Sequence, residues 1–312
     1  MAYSQVKVPR FYVNVVEWLH FNGVLNNIDE AYRTLPVNPT VYNPNISYDI
    51  PEIMTEKGFI FLLGHNLSSA DLGFSLNYWD IVQHKVNSNP VNYDGFSLAL
   101  FNRTDMPKVK LEVSEGAVIG SVVVGTYYDM PHSPDLSLTM EREYGGINTI
   151  ETKGGASLSN SFYNKPPMWG SAGAWELYSG TPTNQKLSRS GRRVWNLSFS
   201  YLDDGDVFGS NQSLLTGEGS SGVYGGDIYT AYDDVDDLQN DGDNFTFDIL
   251  SDDNFFSQVI HKTNGGQLPF IFQPDENDFT NMAICKFQQN SFKFERVALG
   301  IYNISLKIRE VW

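Results

Sequence analysis

Short runs of alternating apolar and polar residues, broken by Asn, Asp, Gly and Pro, dominate this chain. Phe11, Val15, Trp18 and Leu19 fall at helical spacing and Gly23 supplies a stop, which predicts a helix near the start. Phe11, Val13 and Val15 also alternate as a strand would, so this segment reads both ways. Leu35–Pro51, rich in Asn, Pro and Tyr, reads as an extended connection. From Gly58 to about Tyr128 the pattern is β. Phe59–Leu63 is an apolar run ending at Gly64, and Phe96–Phe101 is a second strand. Val109, Leu111 and Val113 alternate with charged residues, and Ile119–Val124 closes the series with Gly120 and Gly125 as punctuation. Short strands at this spacing predict an antiparallel β-sandwich.

Pro131 and Pro134 mark a boundary. Beyond it Leu136, Leu138 and Met140 alternate, and Gly145-Gly146 and Gly154-Gly155 bracket another short strand. Pro166, Pro167, Trp169, Gly170 and Gly173 form an aromatic loop. Trp195, Leu197, Phe199 and Tyr201 alternate with Asn196, Ser198 and Ser200, as a half-buried strand requires. The clearest helix carries Phe255, Phe256, Val259 and Ile260 on one face, with Ser251 or Asp252 as cap and Gly265-Gly266 as terminator. Strands then follow at Leu268–Phe272, Ala283–Phe287 and Ile304–Ile308. No fixed-period repeat and no heptad pattern is visible.

Composition strengthens the β reading. Aromatic residues make up 14% of the 312 residues and charged residues only 19%, and long helix-forming runs are missing. The single cysteine, Cys285, excludes an intrachain disulfide framework and a Cys-based zinc site, and it reads as a buried, inert thiol in a strand. The first ten residues lack a signal-peptide pattern and no apolar run is long enough to span a bilayer, so synthesis in a cytoplasm without membrane insertion is expected. No extended basic patch suggests phosphate-mediated nucleic-acid binding.

Charge changes the picture most. The formal net charge is -16, and the window Val194–His261 holds fourteen carboxylates and no Lys or Arg. Asp203, Asp204, Asp206, Asp233, Asp234, Asp236, Asp237, Asp241 and Asp243 form the expected oligomer-facing or lumen-facing acidic loop, an excursion over 203–243. Charge concentrated in one Gly/Ser/Asp-rich stretch holds a cation or keeps a polyanion away. The series Asp237, Gln239, Asp241, Asp243 and Asp248 has an EF-hand outline. Gln at the third position, Phe245 at the ninth and Asp at the twelfth depart from it, and a solvated acidic loop is the plainer reading. Pairs such as Asp203/Asp206 and Asp233/Asp236 have no feature that marks a glycosidase's two carboxylates. Tyr78, Trp79, Trp169, Trp175, Tyr224 and Tyr229 could stack on sugars, although core and subunit interfaces account for aromatics more simply. His132 and Asp135 could supply half a metal site, yet no second histidine lies at ligand spacing. No metal and no cofactor is therefore expected. Lys186, Arg189, Arg192 and Arg193 form the densest basic cluster, a candidate contact to a neighbouring subunit's acidic loop.

The segments Gly191–Tyr201, Asp253–Ile260, Thr263–Asp275 and Tyr302–Trp312, in that order, resemble tail structural proteins of environmental and marine tailed bacteriophages. In outline they are similar to the ring-forming domain of distal tail proteins, and Gly58–Tyr128 looks like the galectin-like or jelly-roll sandwich such proteins carry. The usual layout places the ring domain first, whereas here the sandwich comes early. The resemblance implies a mainly β chain. Residues 1–50 would be a segment and arm of the ring domain, 51–130 the sandwich, and 131–312 a tail-tube-like domain with one packed α-helix. It further implies a virion structural protein without catalysis, located in the tail. Its partners would be its own copies in a hexameric ring, the tail tube protein and hub or tip proteins, with DNA only in transit. The rival reading is a carbohydrate-binding or glycan-processing β-sandwich. Missing secretion signals and a missing catalytic signature weigh against it.

Overall fold

The computed structural model describes residues 6–26, 28, 30–35, 46–49, 57–65, 73–75, 91–93, 95–102, 108–112, 120–136, 139–144, 147–161, 168–169, 172–173, 191–208, 249–250, 252–279 and 281–311. Asp233, Asp234, Asp236, Asp237, Asp241, Asp243, Lys186 and Arg189 lie outside these residues, as does the EF-hand-like series.

Both readings of the N-terminal segment are realised, one after the other. β1 (Arg10–Asn14) is a fully buried strand and α1 (Val15–Phe21) follows it directly. Asn14 makes the switch, because its Oδ1 accepts the Glu17 N–H at 3.1 Å and so caps the helix. A 3-10 turn at Glu30–Tyr32 follows. Next come β2 (Ile46–Asp49), β3 (Lys57–His65), β4 (Gly73–Ser75), β5 (Val91–Tyr93), β6 (Gly95–Asn102), β7 (Lys108–Glu112) and β8 (Ser121–Asp129). Gly125, which the sequence pattern marks as the end of a strand, lies inside β8. A Cβ there would sit 1.8 Å from the Val13 carbonyl oxygen, so glycine is what lets β8 close against β1.

The later elements are β9 (Thr139–Glu143), β10 (Ile147–Glu151), β11 (Ser157–Ser161), β12 (Met168–Trp169), β13 (Ala172–Gly173) and β14 (Arg192–Asp203). A single turn, α2 (Asp204–Val207), leads out of β14. A helical segment at Phe256–His261 precedes β15 (Phe270–Gln273), β16 (Ala283–Phe287), β17 (Phe294–Ala298) and β18 (Ile301–Glu310). The chain is mainly β, with antiparallel pairing and few helices.

Among the described residues one eleven-stranded sheet dominates, in the order β5-β6-β3-β8-β1-β15-β16-β18-β14-β9, with β17 added to β18. Its alternation feeds two cores. Phe11, Phe270, Phe272, Trp195, Leu197 and Ile308 belong to one, and Tyr12, Phe59, Phe61, Val123, Ile271 and Ile284 to the other. β1 is the junction. It pairs with β8 on one side and β15 on the other, so hydrogen bonding runs unbroken across the boundary expected near residue 130.

The predicted helix packs as expected on the C-terminal sheet, through Phe255, Val259 and Ile260, with Phe256 only half-buried. Two details differ. Its winding is π rather than α, and its cap is Asn254, whose Oδ1 accepts the Ser257 N–H at 2.8 Å. Asp252 instead offers its carbonyl to Gln258 Nε2 at 2.7 Å. Gly265 and Gly266 end the segment with φ of 68° and 89°, in the left-handed region that glycine reaches without strain.

Candidate functional site

The described candidate residues lie on the ribbon formed by β14 and β18. These strands pair antiparallel from Val194↔Arg309 to Asp203↔Ile301. Trp195, Leu197 and Phe199 point into the core with Ile308, Leu306 and Ile304 opposite them. On the other face Ser198 Oγ and Ser305 Oγ lie 3.2 Å apart, and Lys307 is exposed.

At the Ile301 end β14 bulges between Phe199 and Leu202. Tyr201 adopts φ 61° there and is 79% exposed, while its N–H donates to Asn303 Oδ1 at 3.2 Å. Left-handed backbone at a bulky residue costs about 1–2 kcal/mol, so the surrounding pairing holds it in place. The acidic window starts at once. Asp203 N–H donates to the Asp206 carboxylate at 3.3 Å, and Asp204 N–H to the Gly300 carbonyl at 2.9 Å. Asp203, Asp204 and Asp206 therefore share one turn. That turn is anchored, since the Tyr128 hydroxyl donates to the Asp206 carbonyl at 2.9 Å. Val207 and Phe208 enter the core, where the Phe208 ring lies 5.1 Å from Tyr302 and 4.6 Å from Phe294. The excursion expected to leave the core at residue 203 thus stays with it through Phe208. Burial raises the Asp206 carboxyl above the ordinary aspartate value. The Asp203 N–H opposes that shift and the Asp203 charge adds to it.

At the Glu310 end the basic cluster divides. Arg193, a candidate subunit contact in the sequence, is buried and committed within the chain. Its backbone N–H and Nε reach Glu310 Oε2 at 2.8 and 3.1 Å, Nη2 reaches Oε1 at 3.0 Å, and Nη1 reaches Asn281 Oδ1 at 2.7 Å. The guanidinium also lies 5.2 Å from the centre of the Trp195 ring. One residue of strand alternation puts Arg192 on the opposite face, beside Arg309, which pairs with Glu143 at 2.6 Å. Burial and the Arg309 charge lower the Arg192 pKa.

The His132–Asp135 pair is not assembled as metal ligands. His132 Nδ1 lies 2.8 Å from the Ser133 carbonyl, while Asp135 accepts the Ser200 hydroxyl at 2.7 Å. Among the described residues no group of three or more His, Cys, Asp or Glu side chains could hold a metal ion. Cys285 is buried and unpaired, and burial holds its thiol well above the ordinary value. Of the aromatics considered for sugar stacking, Trp169 falls in β12 and the rest lie outside the described residues. Among the described residues no helix is long and apolar enough to cross a membrane.

Sequence reasoning missed three features. Arg10 bonds Asp129 while lying over the Tyr127 ring at 4.5 Å, and Lys7 pairs with Asp275 at 2.8 Å. Lys262 is fully buried, with Nζ 2.6 Å from Gln258 Oε1. Only the last carried a local signal, because residues 258 and 262 share a face at helical spacing. The other two need β1 to lie between β8 and β15. Comparison with known proteins finds no matching family model, no similar curated protein and no similar solved structure.

Proposed function

We propose that this chain is a structural component of a phage tail, a tail-tip ring protein that joins the tail tube to the tip or baseplate. It assembles with copies of itself and catalyses no reaction. The observation that carries the reading is the joint placement of the four segments on which the resemblance rests. Gly191–Tyr201 and Tyr302–Trp312 supply β14 and β18, Thr263–Asp275 supplies β15, and Asp253–Ile260 contributes the helical segment on the same core. The galectin-like sandwich of 51–130 and the tube-like domain of 131–312 belong to this proposal, now as parts sharing one sheet. A tail channel passes DNA without retaining it, and the acidic window suits such a wall because it repels phosphates. The other partners are the tail tube protein and the hub or tip proteins, and the site of action is the virion tail. Electron microscopy of the purified full chain tests the proposal. Closed rings with a central hole are expected, and monomer-sized particles at every concentration would refute self-assembly.

A further inference from the structure

We infer that copies of this chain associate head to tail through the two ends of the β14–β18 ribbon. The inference deepens the self-assembly reading and rests on it. The ends lie nine residues apart along the strands, about 30 Å, and their described residues differ in sign. Around Ile301 stand Asp135, Asp203, Asp204 and Asp206 with Arg296, while Lys293 and Glu295 pair with each other at 3.1 Å. Among the described residues, Arg142, Arg192, Lys286 and Lys307 stand around Arg309, together with the carboxylates Glu141 and Glu143. The Arg193–Glu310 pair is internal and neutral, so it leaves the sign of that end unchanged.

Each end also exposes apolar side chains. Tyr201 at 79% and Leu299 at 65% stand at the acidic end, and Tyr144 at 56% and Met140 at 47% at the basic end. Aromatic and methionine side chains beside charges of one sign suit a contact whose partner carries the other sign. A two-fold contact through one end alone would bring that end against its own copy and oppose like charges. Joining the acidic end of one copy to the basic end of the next removes that repulsion. Such a contact is heterologous, and it closes into a ring where the rotation between copies allows. The occupant of each end is therefore a second copy of this chain.

Light scattering after size-exclusion chromatography of the full chain decides it, using Asp203→Lys, Lys307→Glu and their mixture at low salt. Residues 203 and 307 are both exposed, and circular dichroism qualifies each variant as folded. The wild-type chain is expected to self-associate, less strongly in about 1 M salt, where charges are screened within ~3 Å. Each variant alone should be monomeric, with association weakened by at least about tenfold. The mixture should recover assemblies larger than dimers, with the two variants alternating, because the two reversed ends match each other and the remaining ends are an unaltered acidic and basic pair. Lys307→Gln and Asp203→Asn should each weaken association less than the charge reversals, because they remove a charge without opposing like charges. Folded variants that assemble like wild type, or a mixture that stays monomeric, would overturn the contact. If rings persist in the micrographs of either single charge-reversal variant, this contact is wrong and the ring reading survives. If no rings form from the wild-type chain, both fall.

Discussion

Arg193 and Glu310 illustrate how burial changes the meaning of a charge. Beside Arg192 in the sequence, Arg193 looks like half of a surface patch. In the fold its guanidinium is enclosed with the Glu310 carboxylate and the Asn281 amide. Arg193→Ala strands a buried carboxylate, and urea unfolding should report a loss of about 3–5 kcal/mol. Replacing both residues with apolar ones of similar volume should recover most of it. Tyr201 is the converse case, an exposed side chain on strained backbone. Tyr201→Asn keeps the bulge with a residue that tolerates left-handed φ, and stability should rise by up to about 1 kcal/mol. Asp206 adds a pH dependence. Its folded pKa is raised, chiefly by burial, so the proton is held more tightly in the folded chain than in the unfolded one. The stabilisation this provides is complete below the unfolded value of about 3.9 and is lost as pH rises through the folded value. Asp206→Asn should therefore exceed wild type in stability at pH 7, and the difference should vanish in denaturant titrations near pH 3.

At the scale of elements, the helical segment shows what periodicity can and cannot say. The apolar spacing of Phe255, Val259 and Ile260 was sufficient to place one face on the sheet. It could not separate π from α winding, because that choice depends on fitting buried Ser257, Gln258 and Lys262 among strands distant in sequence. Nor could it rank two adjacent phenylalanines. Phe255 is buried against Phe11, with ring centres 5.6 Å apart, and Phe256 is half-buried. Phe255→Ala should cost about 3–5 kcal/mol and Phe256→Ala clearly less, about 1–2 kcal/mol, in thermal or denaturant unfolding. Equal losses would contradict this placement.

At the scale of the molecule, the sheet joins what the chain pattern divides. Residues 51–130 show strand alternation between proline-containing stretches, which invites the expectation of an autonomous domain. Yet β8 is an interior strand whose second neighbour is β1. A fragment of 51–130 would expose that edge together with Phe59, Phe61 and Val123, which share a core with Tyr12 and Ile271. Circular dichroism should show that fragment to be largely unstructured or aggregating, while the full chain is ordered. A cooperative, monomeric β spectrum from the fragment would restore the boundary near residue 130.

Local pattern was enough for the β-rich class, the positions of the longest strands, the burial of Cys285 and the helical face at 255–260. Each follows from alternation, spacing or turn chemistry within a few residues. It also located the acidic window, because formal charge needs no structure. Tertiary structure decided which strands are neighbours, with β1 set between β8 and β15 by hydrogen bonds between distant segments. It also divided Arg192 from Arg193 and kept Val207 and Phe208 in the core beyond the first aspartates. Those outcomes depend on which side chains meet across the sheet, and contacts between residues a hundred positions apart leave no local periodicity to read.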